Sequence, residues 1–230
     1  RENYIKRAVG ISGDVVEMKN GNLVVNGKPG YDSDDVQKAY VVFTDASGLS
    51  PQVLKDKRME YSQQYDENGN PVYILFVTQE EIEEVKKWSN VKEVMLYDNA
   101  SPAFPKSDLY NWNFHNFGPL KVPSKGDVVA LNELTYPLYE RIITVYEGNT
   151  LEKRADGIYV NGVKTDAYPI KMNYYWMMGD NGDNSLDSRD FGFVPEDYIV
   201  GKALFTWLSW DTDGTFLSKI RWNRIFRGIN

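Results

Sequence analysis

Residues 15 to 27 read VVEMKNGNLVVNG, in which two apolar stretches are each followed by an Asn-Gly pair. Asn-Gly favours the left-handed dihedral angles of a two-residue turn, so Asn20-Gly21 and Asn26-Gly27 predict tight β-hairpins. A similar phrase, DGIYVNG, occupies residues 156 to 162. The chain is therefore predicted to be mainly β.

The middle of the chain, residues 31 to 116, follows a different pattern. Three stretches rich in β-branched and aromatic residues are predicted as strands: Ala39 to Thr44, Val72 to Val77 and Val91 to Tyr97. Thr78 to Trp88 is predicted as a helix that begins with a Thr-x-x-Glu capping box and carries an apolar stripe at Ile82 and Val85. This part therefore has the character of a small α+β unit inserted into a mainly β protein.

The negative charge is concentrated in the same part of the chain. The whole protein has 26 Lys and Arg against 33 Asp and Glu, a formal net charge of -7. Residues 31 to 112 carry 15 acidic and 8 basic side chains, which accounts for the whole excess. An acidic docking face and a solvated surface on an insertion both explain this pattern.

Further strands are predicted in the second half of the chain, at Ile142 to Tyr146, Ile158 to Val160 and Ala203 to Trp207. Residues 220 to 229 place Trp222 and Phe226 at helical spacing, with three Arg residues around them. A basic amphipathic helix with Trp and Phe lies either in a membrane interface or against the core as a terminal helix.

The composition excludes several classes of function. The net negative charge argues against a strongly basic nucleic-acid binder. The absence of Cys excludes a disulfide scaffold, a thiol nucleophile and a thiolate metal site. A single His leaves little room for a zinc or iron centre and allows one Ser-His-Asp triad at most.

The least ordinary segment is a polar one, GDNGDNSLDSR, at residues 179 to 189. It does not fit a calcium loop of the EF-hand type, because counting from Asp180 or from Asp183 puts neither Gly at position 6 nor Glu at position 12. Two interpretations remain. It is either a long turn whose side chains bond their own backbone, or an active-site loop in which a hydroxyl and a charge pair hold another catalytic group.

A second phrase, YIKRAVGISGD at residues 4 to 14, favours the active-site interpretation. Together the two phrases strongly resemble those of bacterial type I signal peptidase (leader peptidase), a serine peptidase family with a Ser/Lys dyad. Shorter phrases in residues 117–123, 192–195 and 200–203 fit the same family. The resemblance covers about residues 4 to 30 and 117 to 207.

The resemblance implies a role for each matching residue. Lys6 would be the general base, and Ser185 would fix the direction of its amine. Burial disfavours a lysine ammonium, which explains how a lysine in place of His takes a proton from an attacking serine. The supporting residues of the active-site loop would be Arg7, Gly179, Asp180, Asp187 and Arg189. Tyr4 and Ile5 would line the substrate pockets, which select Ala-like residues.

The resemblance also implies a location and partners. Such a hydrolase removes signal peptides from secreted precursors at the bacterial cytoplasmic membrane, with its catalytic domain on the outer face. It uses no cofactor or metal and binds no nucleic acid. A membrane anchor would precede the residues given, and the tail at residues 220 to 229 is a second candidate for membrane contact. His115 lies outside every matching phrase and is expected to be a surface or packing residue.

Two departures from the family pattern stand out. The family's nucleophile lies in a Ser-Met-x-Pro-Thr motif upstream of the lysine, and no such motif occurs in this sequence. Gly182 stands where the family usually has Arg. We therefore expect a fragment: a β catalytic core at 1–30 plus 117–230, incomplete at its N-terminus, with the acidic α+β insertion at 31–116. The fragment alone is expected to be inactive. The alternative is a non-catalytic peptide- or protein-binding module on the same fold.

Overall fold

The computed structural model describes residues 3–30, 35–210, 219–222 and 225–229. They divide into two compact units. The larger unit runs from Lys6 to Glu196, and the smaller one consists of the described residues before Lys6 and after Glu196.

Most of the regular structure is β, as predicted. The strands are β1 (Arg7–Gly10), β2 (Val15–Lys19), β3 (Asn22–Val25), β4 (Lys28–Pro29), β5 (Lys38–Thr44), β6 (Glu60–Tyr65), β7 (Pro71–Val77), β8 (Val91–Leu96), β9 (Phe117–Lys121), β10 (Val128–Ala130), β11 (Leu151–Arg154), β12 (Gly157–Val160), β13 (Val163–Lys164), β14 (Ala167–Pro169), β15 (Tyr174–Met178), β16 (Val194–Pro195), β17 (Phe205–Thr206) and β18 (Arg227–Gly228). The α-helices are α1 (Pro51–Asp56), α2 (Gln79–Val85), α3 (Tyr136–Arg141) and α4 (Ser188–Phe191).

The predicted Asn-Gly turns are confirmed by the backbone. Both residues of each pair have positive φ: 50° and 72° at Asn20-Gly21, 53° and 74° at Asn26-Gly27, and 50° and 78° at Asn161-Gly162. Positive φ at both central residues is the requirement of a type I′ turn. The first turn sets the register of β2 against β3, in which Val16 pairs with Val25.

The β core of the larger unit contains a four-stranded sheet of order β4-β3-β2-β9 and a three-stranded sheet of order β1-β15-β16. One hydrophobic cluster joins them, and its largest fully buried side chains are Trp176, Tyr174 and Phe193. Because β15 supplies both Tyr174 and Trp176 to this cluster, the strand that leads into residue 179 is firmly anchored.

Residues 38 to 96, called the inserted module below, form a separate four-stranded sheet of order β6-β7-β5-β8 with helices α1 and α2. The predicted capping box of α2 is present, since Thr78 and Glu81 bond each other's backbone N–H. Ile82 and Val85 are fully buried in a second hydrophobic cluster with residues of β5 and β7. The three strands and the helix predicted here are confirmed, and the helix is shorter than expected.

The strand predicted at Ile142 to Tyr146 is wrong. These residues form a π-helical turn that continues α3. Ile142 and Ile143 are both buried in the larger cluster. Consecutive strand residues point to opposite faces of a sheet, so a strand packed on one side would have exposed one of them. Burial of both isoleucines therefore outweighs the β propensity of the stretch.

The helix predicted at residues 220 to 229 is also wrong in its described part, because Arg227–Gly228 form a strand paired with Phe205–Thr206. Residues 223 and 224 of that prediction lie outside the described residues. The partner strand confirms part of the prediction for Ala203 to Trp207. The spacing of Trp222 and Phe226 reflects local conformation only, so it could not predict pairing with a strand that is distant in the sequence. None of the helices in the described ranges combines the length and apolar character needed to cross a membrane.

Candidate active site

Strand register brings the two sequence phrases together. β1 pairs with β15 in antiparallel fashion, with Arg7 opposite Met178. Lys6 therefore stands at the end of β1 beside Gly179, the first residue of the active-site loop, by which we mean residues 179 to 189. The amine of Lys6 lies 2.6 Å from Ser185 Oγ and donates a hydrogen bond to it. Both residues are partly buried.

Gly179 is required by this contact. A Cβ on Gly179 would collide with Ser185 Oγ and would lie 3.0 Å from Lys6 Nζ. The Gly179 N–H donates to Asp187 Oδ2 at 3.1 Å, which fixes the backbone at this point. The absence of a side chain thus leaves the space in which the amine and the hydroxyl meet.

Gly179→Ala is expected to separate Lys6 from Ser185. The added methyl group occupies the space of the hydroxyl, so the Nζ–Oγ distance should exceed the hydrogen-bond limit of about 3.2 Å. A crystal structure of the variant measures this distance. Gly201→Ala is the matched control, because no atom of the described residues lies within 4 Å of a Cβ at Gly201. An unchanged Lys6–Ser185 distance in Gly179→Ala would contradict the steric argument.

Arg7 and Asp180 link the strand to the loop on the solvent side. Arg7 Nε and Nη2 donate to the two carboxylate oxygens of Asp180, each at 2.9 Å. This bidentate geometry fixes the direction of both side chains. Because Arg7 directly follows Lys6 and Asp180 directly follows Gly179, the ion pair holds the start of β1 against the start of the loop.

The far end of the active-site loop is held by a buried ion pair. Arg189 donates from Nε and Nη2 to Asp187 at 3.0 and 2.7 Å, and both side chains are almost inaccessible to solvent. Arg189 Nη2 also donates to the carbonyl of Gly182, and its guanidinium lies 4.8 Å from the Phe114 ring centroid. Asp187 forms the capping box of α4 with Asp190. Ser185 is therefore followed, two residues later, by a segment that the buried Asp187–Arg189 ion pair holds in place.

The structure adds two residues to the site: Asp183, to which no role was assigned, and His115, which was expected to be a surface or packing residue. Asp183 is buried in the loop and lies 2.8 Å from Nε2 of His115. Burial by itself raises the pKa of Asp183, but hydrogen bonds from His115, Ala39 N–H and Asn99 outweigh it and hold that pKa below its ordinary value. The sequence phrase contained Asp183, but nothing in it signalled these distant partners.

The placement of the predicted site residues is thus mixed. Seven of them meet around the active-site loop: Lys6, Arg7, Gly179, Asp180, Ser185, Asp187 and Arg189. Tyr4 and Ile5 belong to the smaller unit and are largely exposed. Within the described ranges, no three His, Asp or Glu side chains come together as a group that would hold a metal ion.

Comparison with known proteins gives consistent matches. The sequence model of the family described as signal peptidase, peptidase S26, matches residues 1–93 and 86–210. This match is wider than the two segments that carry the motifs, and its two ranges together include all of residues 31 to 116.

Curated relatives named Signal peptidase I match parts of the chain. The protein of Buchnera aphidicola subsp. Schizaphis graminum is 57% identical over 115 residues, which are 47% of this chain and 36% of the relative. That of Haemophilus influenzae is 39% identical over 69 residues, which are 30% of this chain and 20% of the relative. The matches thus span about a third or less of these relatives' lengths. The family model, by contrast, matches most of the chain, so the chain belongs to the signal peptidase family, peptidase S26.

Proposed function

We propose that the chain is the catalytic part of a signal peptidase I that removes signal peptides from secreted precursors. The observation that carries the proposal is the 2.6 Å contact between the Lys6 amine and Ser185 Oγ. A lysine that acts as general base needs a fixed position and a hydroxyl partner that orients its amine. The surrounding loop supplies both through Gly179 and the buried Asp187–Arg189 pair.

The proposed reaction is acyl transfer through a serine that lies outside residues 1–230. Lys6 takes the proton of this serine as the serine oxygen attacks the scissile carbonyl. The proton then passes to the departing amine, and water hydrolyses the acyl-enzyme. Ser185 and the Arg7–Asp180 pair position Lys6 and do not react. Below, the full-length protein means residues 1–230 together with the segment that carries the serine.

The substrate is proposed to bind as an additional strand. Among the described strands of its sheet, β1 is at the edge, with β15 on one side only. Such an edge offers backbone groups for an extended peptide. Tyr4 and Ile5 directly precede the lysine, and we assign them to the pockets that select Ala-like residues. In this proposal residues 1–30 and 117–230 make up the catalytic core, and residues 31–116 are an insertion.

The test is cleavage of a secretory precursor by the full-length protein. Turnover at a bond preceded by Ala at the first and third positions supports the proposal, and replacing these Ala residues with bulky ones should stop it. Saturable peptide binding without turnover would favour a non-catalytic binding module instead. The decisive variant is Lys6→Ala.

We also propose that the protein acts at the outer face of the bacterial cytoplasmic membrane, held by an anchor and by contacts of the smaller unit. The described part of that unit exposes large aromatic side chains, with Trp207 at 72% and Trp222 at 70%. Trp side chains favour the membrane–water interface because they have an apolar body and a polar N–H. The contact thus rests on exposed aromatic residues and not on the helix expected from the tail.

The double variant Trp207→Ser/Trp222→Ser is expected to weaken binding of the 230-residue chain to phospholipid vesicles at least about tenfold, since burying one aromatic side chain contributes about 1.5–3 kcal/mol. Co-sedimentation with vesicles of mixed zwitterionic and anionic lipid measures the binding. Tyr65→Ser is the matched control, because Tyr65 is an exposed aromatic residue of the inserted module. Equal loss in the control, or no loss in the double variant, would count against the membrane contact.

A further inference from the structure

We infer that the inserted module positions the active-site loop, and that Gly182 and Asp183 are the positioning residues through which it acts on Lys6 and Ser185. The meaning of the Lys6–Ser185 pair rests on the proposed function. The contact between module and loop is independent of that function, because it is formed by backbone approach, hydrogen bonds and burial. Three observations carry the inference.

The first observation is backbone pairing where the chain enters the inserted module. Gln37 N–H donates to the carbonyl of Asp180 at 2.7 Å, and Gln37 forms a parallel bridge with Asn181. Gln37 directly precedes β5, the strand that lies between β7 and β8 in the module's sheet. The loop is therefore tied to an inner strand of the module.

The second observation is the close approach at Gly182. A Cβ at this position would collide with the carbonyl oxygen of Gln37. The carbonyl of Gly182 also accepts a hydrogen bond from Arg189. Gly182 thus lies between the module and the buried Asp187–Arg189 ion pair at the end of the loop.

The third observation is the set of donors around Asp183. Its carboxylate accepts from Ala39 N–H at 3.0 Å, from Asn99 Nδ2 at 3.1 Å and from His115 Nε2 at 2.8 Å. Ala39 belongs to β5, Asn99 follows the module's last strand, and His115 precedes β9 of the core. One buried side chain of the loop therefore fastens the entrance to the module, the chain leaving it and the core.

These contacts fix Ser185 from both sides. Asp183 is held by three donors, and Asp187 is held by Arg189 and by Gly179 N–H. In the sequence, Ser185 is two residues from Asp183 and two residues from Asp187, and both carboxylates are fixed. Such short segments can absorb little of a shift at residue 182 or 183, so the shift is passed on to Ser185. A displacement of even about 1 Å at a reacting group can reduce catalysis about 100-fold.

Amide hydrogen exchange in the 230-residue chain tests the contact directly. Gln37 and Ala39 report the module side, and Gly179 reports the start of the loop, where its N–H donates to Asp187 beside Ser185. Gly182→Ala should speed exchange at all three by about tenfold or more, whereas Gly201→Ala should change it less than about twofold. Asp183→Asn is the second variant, because it puts an amide donor where a carboxylate now accepts. Unchanged protection of β7 amides shows that the module is still folded.

Kinetics of the full-length protein test the consequence. Gly182→Ala and Asp183→Asn should lower kcat at least about tenfold with KM changed less than about twofold, because the geometry of Lys6 and Ser185 is altered while the substrate strand site is intact. Results like those of Gly201→Ala overturn the inference. A second result also overturns the inference: exchange becomes faster at Gln37 and Ala39, while kcat and the exchange of Gly179 are unchanged. The contact would then join the module to the loop without positioning Lys6 and Ser185. If the wild-type protein shows no cleavage, the proposed function fails, and exchange at Gly179 still decides whether the module holds the loop.

Discussion

Lys6→Ala in the full-length protein is expected to abolish precursor cleavage while leaving the fold intact. Removing the amine removes the group proposed to take the proton of the attacking serine, and general-base catalysis contributes about 10²–10⁴-fold to a rate. The loss should appear in kcat, because the amine acts on the reacting atoms and not on substrate binding. Cleavage of a precursor with Ala at the first and third positions, followed under single-turnover conditions, measures the effect.

The control for this variant is Lys28→Ala. Lys28 is an exposed lysine on β4 of the core, outside the active-site loop. The Lys28→Ala variant should cleave the precursor at the wild-type rate. Both Lys6→Ala and Lys28→Ala should have the circular dichroism spectrum and the melting temperature of the wild type. Ser185→Ala should fall between them, since Lys6 keeps its amine but loses the hydroxyl that orients it. Wild-type cleavage by Lys6→Ala would refute the assignment of the general base.

Features fixed by neighbouring residues could be predicted from the sequence. The Asn-Gly turns appear with positive φ at both residues because few other residue pairs adopt that conformation easily. The capping box of Thr78 and Glu81 begins α2 because its two hydrogen bonds span only three residues. The phrases around Lys6 and Ser185 identified the two groups that lie 2.6 Å apart. Their roles in catalysis stay predictions.

Features that depend on distant parts of the chain could not be predicted. The stretch from Ile142 to Tyr146 has strand propensity, but burial of two consecutive isoleucines makes it a π-helical turn. The contact between Gln37 and Asp180, and that between His115 and Asp183, join residues far apart in sequence. Neither the single His nor Gln37, one of five Gln residues, gives a local sign of its partner. Gly182 was noted only as a departure from the family pattern. The close approach of the Gln37 carbonyl, which requires a residue without a Cβ at this position, is a property of the folded chain.

Asp187→Ala is expected to lower the free energy of unfolding by about 3–5 kcal/mol, because it leaves the buried guanidinium of Arg189 without a counter-charge. The change also removes the cap of α4 and the acceptor of Gly179 N–H. Since a domain is stable by only about 5–15 kcal/mol, this is a large share of the total. Urea unfolding of the 230-residue chain, followed by tryptophan fluorescence, measures the loss.

Glu152→Ala is the matched control, because Glu152 pairs with Arg154 at the same sequence separation but on the surface, where both side chains are about half exposed. Exposed ion pairs are screened by water and salt, so this variant should unfold at the wild-type urea concentration within experimental error. The double variant Asp187→Ala/Arg189→Met should be more stable than Asp187→Ala alone, since it removes the unpaired buried charge. Equal losses in Asp187→Ala and Glu152→Ala would mean that burial of the Asp187–Arg189 pair is not what holds the end of the loop. A double variant less stable than the single one would instead assign the loss to the cap and packing of α4.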